Sequence, residues 1–152
     1  MRTLALALVA AFSLSAADLT IKKSLNLAVI KEMVAGAEAE AAKRNVSVTI
    51  CIVDESGNLL FLQKGDRSGL NTINFAQRKA RHSAFFGAPS ARSAQLLKDG
   101  NMAQLALPNA FPNQGGLPIK VDGVTIGAIA ASGAASDIDE AIAQAGITAA
   151  IK

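Results

Sequence analysis

The sequence predicts an α+β fold in which helices flank an antiparallel sheet. Three observations carry that expectation. Apolar residues recur at helical spacing over residues 21–41. Two pairs of short β-rich runs are each joined by a tight turn. The connections are too short for repeated βαβ crossovers, and there is no GxGxxG, no P-loop and no internal repeat.

Met1-Arg2 is followed by an apolar run from Thr3 to Leu14 and by the small residues Ser15-Ala16-Ala17. The run is shorter than the about 20 residues a membrane-spanning helix needs. This layout reads as a cleavable signal peptide over residues 1–17, so the protein is expected to be exported, periplasmic or extracellular. Residues 18–152 then have the size of one domain that can bury a core without disulfides. The single cysteine, Cys51, sits in an apolar run and reads as a small buried hydrophobe.

The first element is an amphipathic helix. Thr20 is its expected N-cap, Ile21, Leu25, Ala28, Val29, Met33, Ala37 and Ala41 its apolar stripe, and Lys43-Arg44 a dipole-compensating last turn before Asn45. Val46 to Val53 is rich in β-branched residues and reads as a strand. Asp54-Glu55-Ser56-Gly57-Asn58 turns it into a second strand, Leu59 to Gln63. Lys64 to Gly69 is a polar loop of the kind that carries ligand contacts.

Asn71 to Phe86 follows as a helix with the stripe Ile73, Ala76, Ala80 and Ala84, broken by Gly87-Ala88-Pro89. Ser90 is the expected cap of a short helix that closes at Asp99-Gly100. Residues 101–117, with Pro108 and Pro112, form a long connection of the sort that is usually functional. Asp122-Gly123 predicts a two-residue type I′ hairpin turn, because both positions need positive φ. Ser136 opens the last helix; Asp137, Asp139 and Glu140 read as dipole-favouring first-turn residues, with Ser136 and Asp139 as a capping-box pair.

Charge narrows the function classes. Without Arg2 there are 14 basic and 12 acidic residues, and the chain has no Trp or Tyr. A nucleic-acid partner would need more positive charge or stacking aromatics, so none is expected. No catalytic triad, metal-ligand cluster or convincing carboxylate pair stands out.

Four segments together resemble the GlcG/HbpS family, which includes the C-terminal haem-binding domain of PduO proteins. They are Val53-Asp54-Glu55-Ser56-Gly57-Asn58-Leu59, then Lys79-Ala80-Arg81-His82-Ser83-Ala84-Phe85-Phe86, then Gly115-Gly116-Leu117-Pro118-Ile119 with Asp122-Gly123 and Ile126-Gly127, then Ser132-Gly133-Ala134 with Asp139-Glu140 and Ala145-Gly146. The resemblance implies a profilin-like or PAS-like sandwich in a homo-oligomer. It implies a haem-binding protein for haem capture or sensing, with a sensor kinase as a possible partner. Other members are encoded with glycolate or diol metabolism. The alternative it offers is therefore an enzyme or accessory protein acting on haem, by degradation, or on a small carboxylate such as glycolate.

Within that frame His82, the only histidine, reads either as the iron ligand, with Met33, Met102 and Cys51 as the other candidates, or as a surface or interface histidine on a basic helix. Arg78 lies four residues before His82 on the same helical face, which would place a guanidinium near a propionate. Phe86, beside Phe85, would cover the porphyrin. Arg67, Arg78 and Arg81 read either as carboxylate partners or as solvated charge. Gly115-Gly116 reads either as a close approach to ligand or as a plain turn into a strand.

Overall fold

The computed structural model describes residues 18–151; the signal peptide expected over residues 1–17 lies outside the described residues. The chain runs α1 (Leu27–Lys43), β1 (Thr49–Asp54), β2 (Leu59–Lys64), α2 (Thr72–Phe86), α3 (Ser90–Lys98), a 3₁₀ turn (Met102–Leu105), β3 (Gly116–Val121), β4 (Val124–Ser132) and α4 (Ser136–Ala150). The four strands form one antiparallel sheet in the order β2-β1-β4-β3.

Strand alternation sorts the side chains into two cores. Ile50, Ile52, Ile119 and Ile129 share one face of the sheet with Ile30, Met33 and Val34 of α1 and Ile142 of α4. Cys51, Val53, Ala128 and Ala130 share the other with Ala76, Ala80 and Ala84 of α2. Helices therefore flank the sheet on both sides, in the layered α+β arrangement expected from the sequence.

Both expected turns form. Asp54 Oδ1 accepts from the Ser56 and Asn58 N–H groups at 2.9 and 2.8 Å, which closes the β1–β2 connection. Asp122 and Gly123 have φ of 51° and 78°, the two positive values a type I′ turn requires.

Several boundaries differ from the sequence expectation. The first helix begins at Leu27, with Asn26 Oδ1 accepting from the Val29 N–H at 3.0 Å, so Thr20 is not its cap. Ile21 matches the apolar spacing but stands in solvent. The first strand starts at Thr49 rather than Val46. Ile73 is half-exposed and lies off the buried stripe of α2, where Lys79 and Ser83 lie between the alanines. Ser90 falls inside its helix, its hydroxyl bonded to the Gly116 backbone.

Candidate functional site

The second helix carries two polar faces. The inner one holds Lys79, which is 2% exposed. Its ammonium lies 2.8 Å from Asp139 Oδ2 on α4 and 3.2 Å from the Ala131 carbonyl. Asp139, also 2% exposed, accepts from the Ala134 N–H at 3.0 Å through its other oxygen. It therefore reaches back to the helix start, as half of a capping box would, but its main partner is a lysine 60 residues away. The reading of Asp139 as a first-turn residue alone is corrected by that pair. Burial of two charges is tolerated because they face each other and each has a further hydrogen bond.

Gly115 and Gly116 make the pair possible. Gly115 has φ of 122°, and a Cβ there would sit 2.8 Å from Lys79 Nζ and 2.9 Å from Asp139 Cβ. A Cβ on Gly116 would collide with the Lys79 carbonyl. The Gly116 N–H donates to Ser90 Oγ at 2.9 Å, and the Gly115 carbonyl accepts from the Ala131 N–H at 3.1 Å. Both glycines are buried, and their close approach is to α2.

The outer face of α2 presents Phe75, Arg78, His82 and Phe86 along one line. The connection before β3 lies over it. Phe111 packs edge-on against Phe75, with ring centroids 5.4 Å apart. The Arg78 guanidinium sits 4.1 Å above the Phe111 ring. The Phe111 N–H donates to His82 Nδ1 at 3.0 Å. His82 is 1% exposed, with the Phe86 ring 4.6 Å away and its Nε2 buried without a partner. Burial holds its pKa below the ordinary 6.5, so the imidazole is neutral at pH 7.

Arg81 donates through Nε to the Gly57 carbonyl at 2.9 Å. Arg78, Arg81, Asn109 and Ala110 line a cavity of 290 Å³. Arg67 is elsewhere: with Glu38, Ser47 and Asp66 it lines a 340 Å³ cleft. The structure thus brings together Arg78, His82 and Phe86, and leaves Arg67 and the glycine pair in other neighbourhoods. Two residues of this site, Phe111 and Phe75, are not among those the sequence singles out; the signal for Phe111 is an aromatic between Pro108 and Pro112, and for Phe75 its place three residues before Arg78 on α2.

The other candidate iron ligands are dispersed. Met33 is fully buried in the isoleucine-lined core, and Met102 is exposed on the connection. Cys51 is buried in the alanine-lined core, where burial pushes its thiol up to about 12. Among the described residues no three His, Cys, Asp or Glu side chains cluster as metal ligands, and no helix is long and apolar enough to cross a membrane.

Fold and packing define a helix-flanked antiparallel sandwich with a buried interlayer ion pair and a loop-covered histidine. The family model described as "Haem degrading protein HbpS-like" matches residues 25–148, and the chain belongs to that HbpS-like family. It is 31% identical to the protein GlcG of Escherichia coli K12 over 111 residues, 73% of this chain and 83% of that one. A double mutant of Streptomyces reticuli HbpS superposes with a TM-score of 0.79 at 29% identity, covering 91% of this chain and 97% of that one. PduOC, solved as its haem complex, superposes at 0.77 with 21% identity over 84% and 95% of the chains, a likeness of fold.

The residues of the α2 face fit part of a haem. Two guanidiniums suit propionates, and Phe86 suits a ring. His82 as held here does not fit the iron. Its Nδ1 lone pair is taken by the Phe111 N–H, so the neutral ring carries its proton on Nε2 and offers a donor there, not a lone pair. Its position makes it the anchor of the covering loop.

Proposed function

We propose that this protein is an exported haem-binding protein that acts in haem capture or sensing as an assembly of identical copies. The observation that carries the reading is the HbpS-like match over residues 25–148. The amphipathic surface around α2 supports it. Phe86, Met102, Leu105 and Leu107 are exposed large apolar side chains on α2 and the connection, and Arg78 and Arg81 are exposed on the same helix as Phe86. That pairing matches a ligand with a flat apolar body and two carboxylates.

Self-assembly is supported by the free edges of the sheet. The β3 edge carries Pro118 and Lys120, which discourage strand pairing. The β2 edge carries Leu59 and Leu60, both exposed, and its one charge, Lys64, stands at the far end of the strand. Light scattering should give a mass that is a multiple of the monomer's. A sensor kinase as partner belongs to the sensing branch of this reading. Export is tested by N-terminal sequencing of the secreted or periplasmic protein, which should begin at Asp18.

When bound, haem would supply the redox chemistry of its iron. The family description favours a second reading, an enzyme that degrades haem. One experiment separates the two. Hemin is titrated into the purified protein and the Soret band followed, then a reductant is added. A saturable band that persists supports capture. A saturable band that bleaches with turnover supports degradation. Absence of any saturable band removes both.

A further inference from the structure

The 290 Å³ cavity beside the covering loop has walls that bear on one chemistry. Arg81 is fixed by its bond to the Gly57 carbonyl, which leaves its two terminal nitrogens free to turn outward. Arg78 rests over the Phe111 ring. Among the described residues, neither guanidinium has a carboxylate within ion-pair distance. Lys22, Lys23, Lys43, Arg44 and Lys79 do find acids, while among the described residues Arg67 and Arg92 share the unpaired state of Arg78 and Arg81; what sets Arg78 and Arg81 apart is that they line one cavity together. Two exposed guanidiniums on one concavity, each held by one contact and neither paired with a carboxylate, suit a planar anion.

The cavity's size restricts what enters. It lies just below the roughly 300–1,000 Å³ of pockets that enclose drug-sized ligands. A porphyrin would not fit inside, whereas a carboxylate group with a short carbon stem would. Asn109, at φ 61°, and Ala110 complete the lining, and the Ala110 backbone N–H is already bonded to the Leu107 carbonyl.

We propose that Arg78, Arg81 and the Asn109–Ala110 turn form a carboxylate-binding site, walled by the loop that His82 anchors. The carboxylate comes either from a free small acid or from the side arm of a larger ligand such as a porphyrin. The porphyrin branch rests on the haem reading proposed above; the free-acid branch does not.

The test uses ¹⁵N-labelled protein and follows the Arg Nε–H signals and the amides of residues 109–111 during titration with succinate, with succinamide as the uncharged control. In parallel, hemin and hemin dimethyl ester are titrated by absorbance. Arg78→Gln and Arg81→Gln are run in both arms. Saturable shifts with succinate alone, weakened about tenfold or more in either variant, establish the site with a free acid as its ligand. No response to succinate, but hemin binding about tenfold or more tighter than its ester and levelled by the variants, establishes it with a porphyrin carboxylate. If succinate gives no saturable shift and hemin and its ester bind alike, the proposal is overturned. The haem reading then stands or falls on hemin binding alone.

Discussion

On one face of the sheet, Ile50, Ile52, Ile119 and Ile129 meet Ile30, Met33 and Ile142. On the other, Cys51, Val53, Ala128 and Ala130 meet Ala76, Ala80 and Ala84. A fully buried isoleucine contributes about 1.5–3 kcal/mol by removal from water, and an alanine far less. The first face is therefore the main apolar store of stability. The second lets α2 approach closely with little apolar area and lodges Lys79, His82, Ser83 and Thr72 in the same helix. That helix turns Arg78, Arg81 and Phe86 outward. Bulk on one side frees the other for polar groups: Lys79 and Thr72 find partners, while His82 Nε2 and Ser83 Oγ stay buried without one.

The sharpest way to break this contrast is through its ion pair. Asp139→Ala should destabilise the protein by about 3–5 kcal/mol, because it leaves Lys79 buried and unpaired. Lys79→Met with Asp139→Leu should regain most of that loss. Urea unfolding of the single and double variants measures both. Recovery would show that the pair's worth lies in mutual satisfaction rather than in net stability.

Overpacking tests the close approach of α2. Ala80→Leu should cost about 1–3 kcal/mol, since helix and sheet have no room there for three more carbons. On the opposite face, Ile142→Val should cost about 0.5–1.5 kcal/mol, the loss of one methyl from a filled core. Thermal unfolding of the two variants compares the faces directly. Equal tolerance of Ala80→Leu and Ile142→Val would remove the distinction.

The smallest expected effect is the pH dependence of the loop. The folded pKa of His82 is lowered by burial, so the unfolded chain takes up its proton first as pH falls. Its stabilising share is whole above pH 6.5 and is lost as pH drops from there through the lower folded value. Protonation also puts a donor on Nδ1 where Phe111 donates. Hydrogen exchange at the Phe111 amide should quicken over that window beyond the intrinsic pH trend. His82→Asn, which keeps an acceptor and removes the titration, should flatten it. Among the described residues the isoleucine-lined cluster holds no histidine, and exchange there should not change over that window.

The turns and the sheet were legible because their signals are local. Asp122-Gly123 and the Asp54–Asn58 turn announce themselves in a few residues. The helix start was misplaced because Ile21 and Leu25 continue the right spacing, while the decision rests with the Asn26 cap. Asp139 was explained by its own helix, and its partner lies 60 residues away. A signal did exist: Lys79 falls on the apolar stripe with Ala76, Ala80 and Ser83, and a lysine there demands a buried partner. The site was half legible. Helical spacing joined Arg78 to His82, but neither Phe111 lying over both nor the distance of Arg67 from them is written in local sequence.

The proposed function puts the ligand on the alanine-lined side of the sheet, at the outer face of α2 and its covering loop. Hydrogen–deuterium exchange with and without hemin tests it most directly. Slowed exchange confined to residues 75–86 and 101–116, with α1 and α4 unchanged, is the result this account predicts. Protection centred on α1 and α4, with the α2 face unaffected, would contradict it.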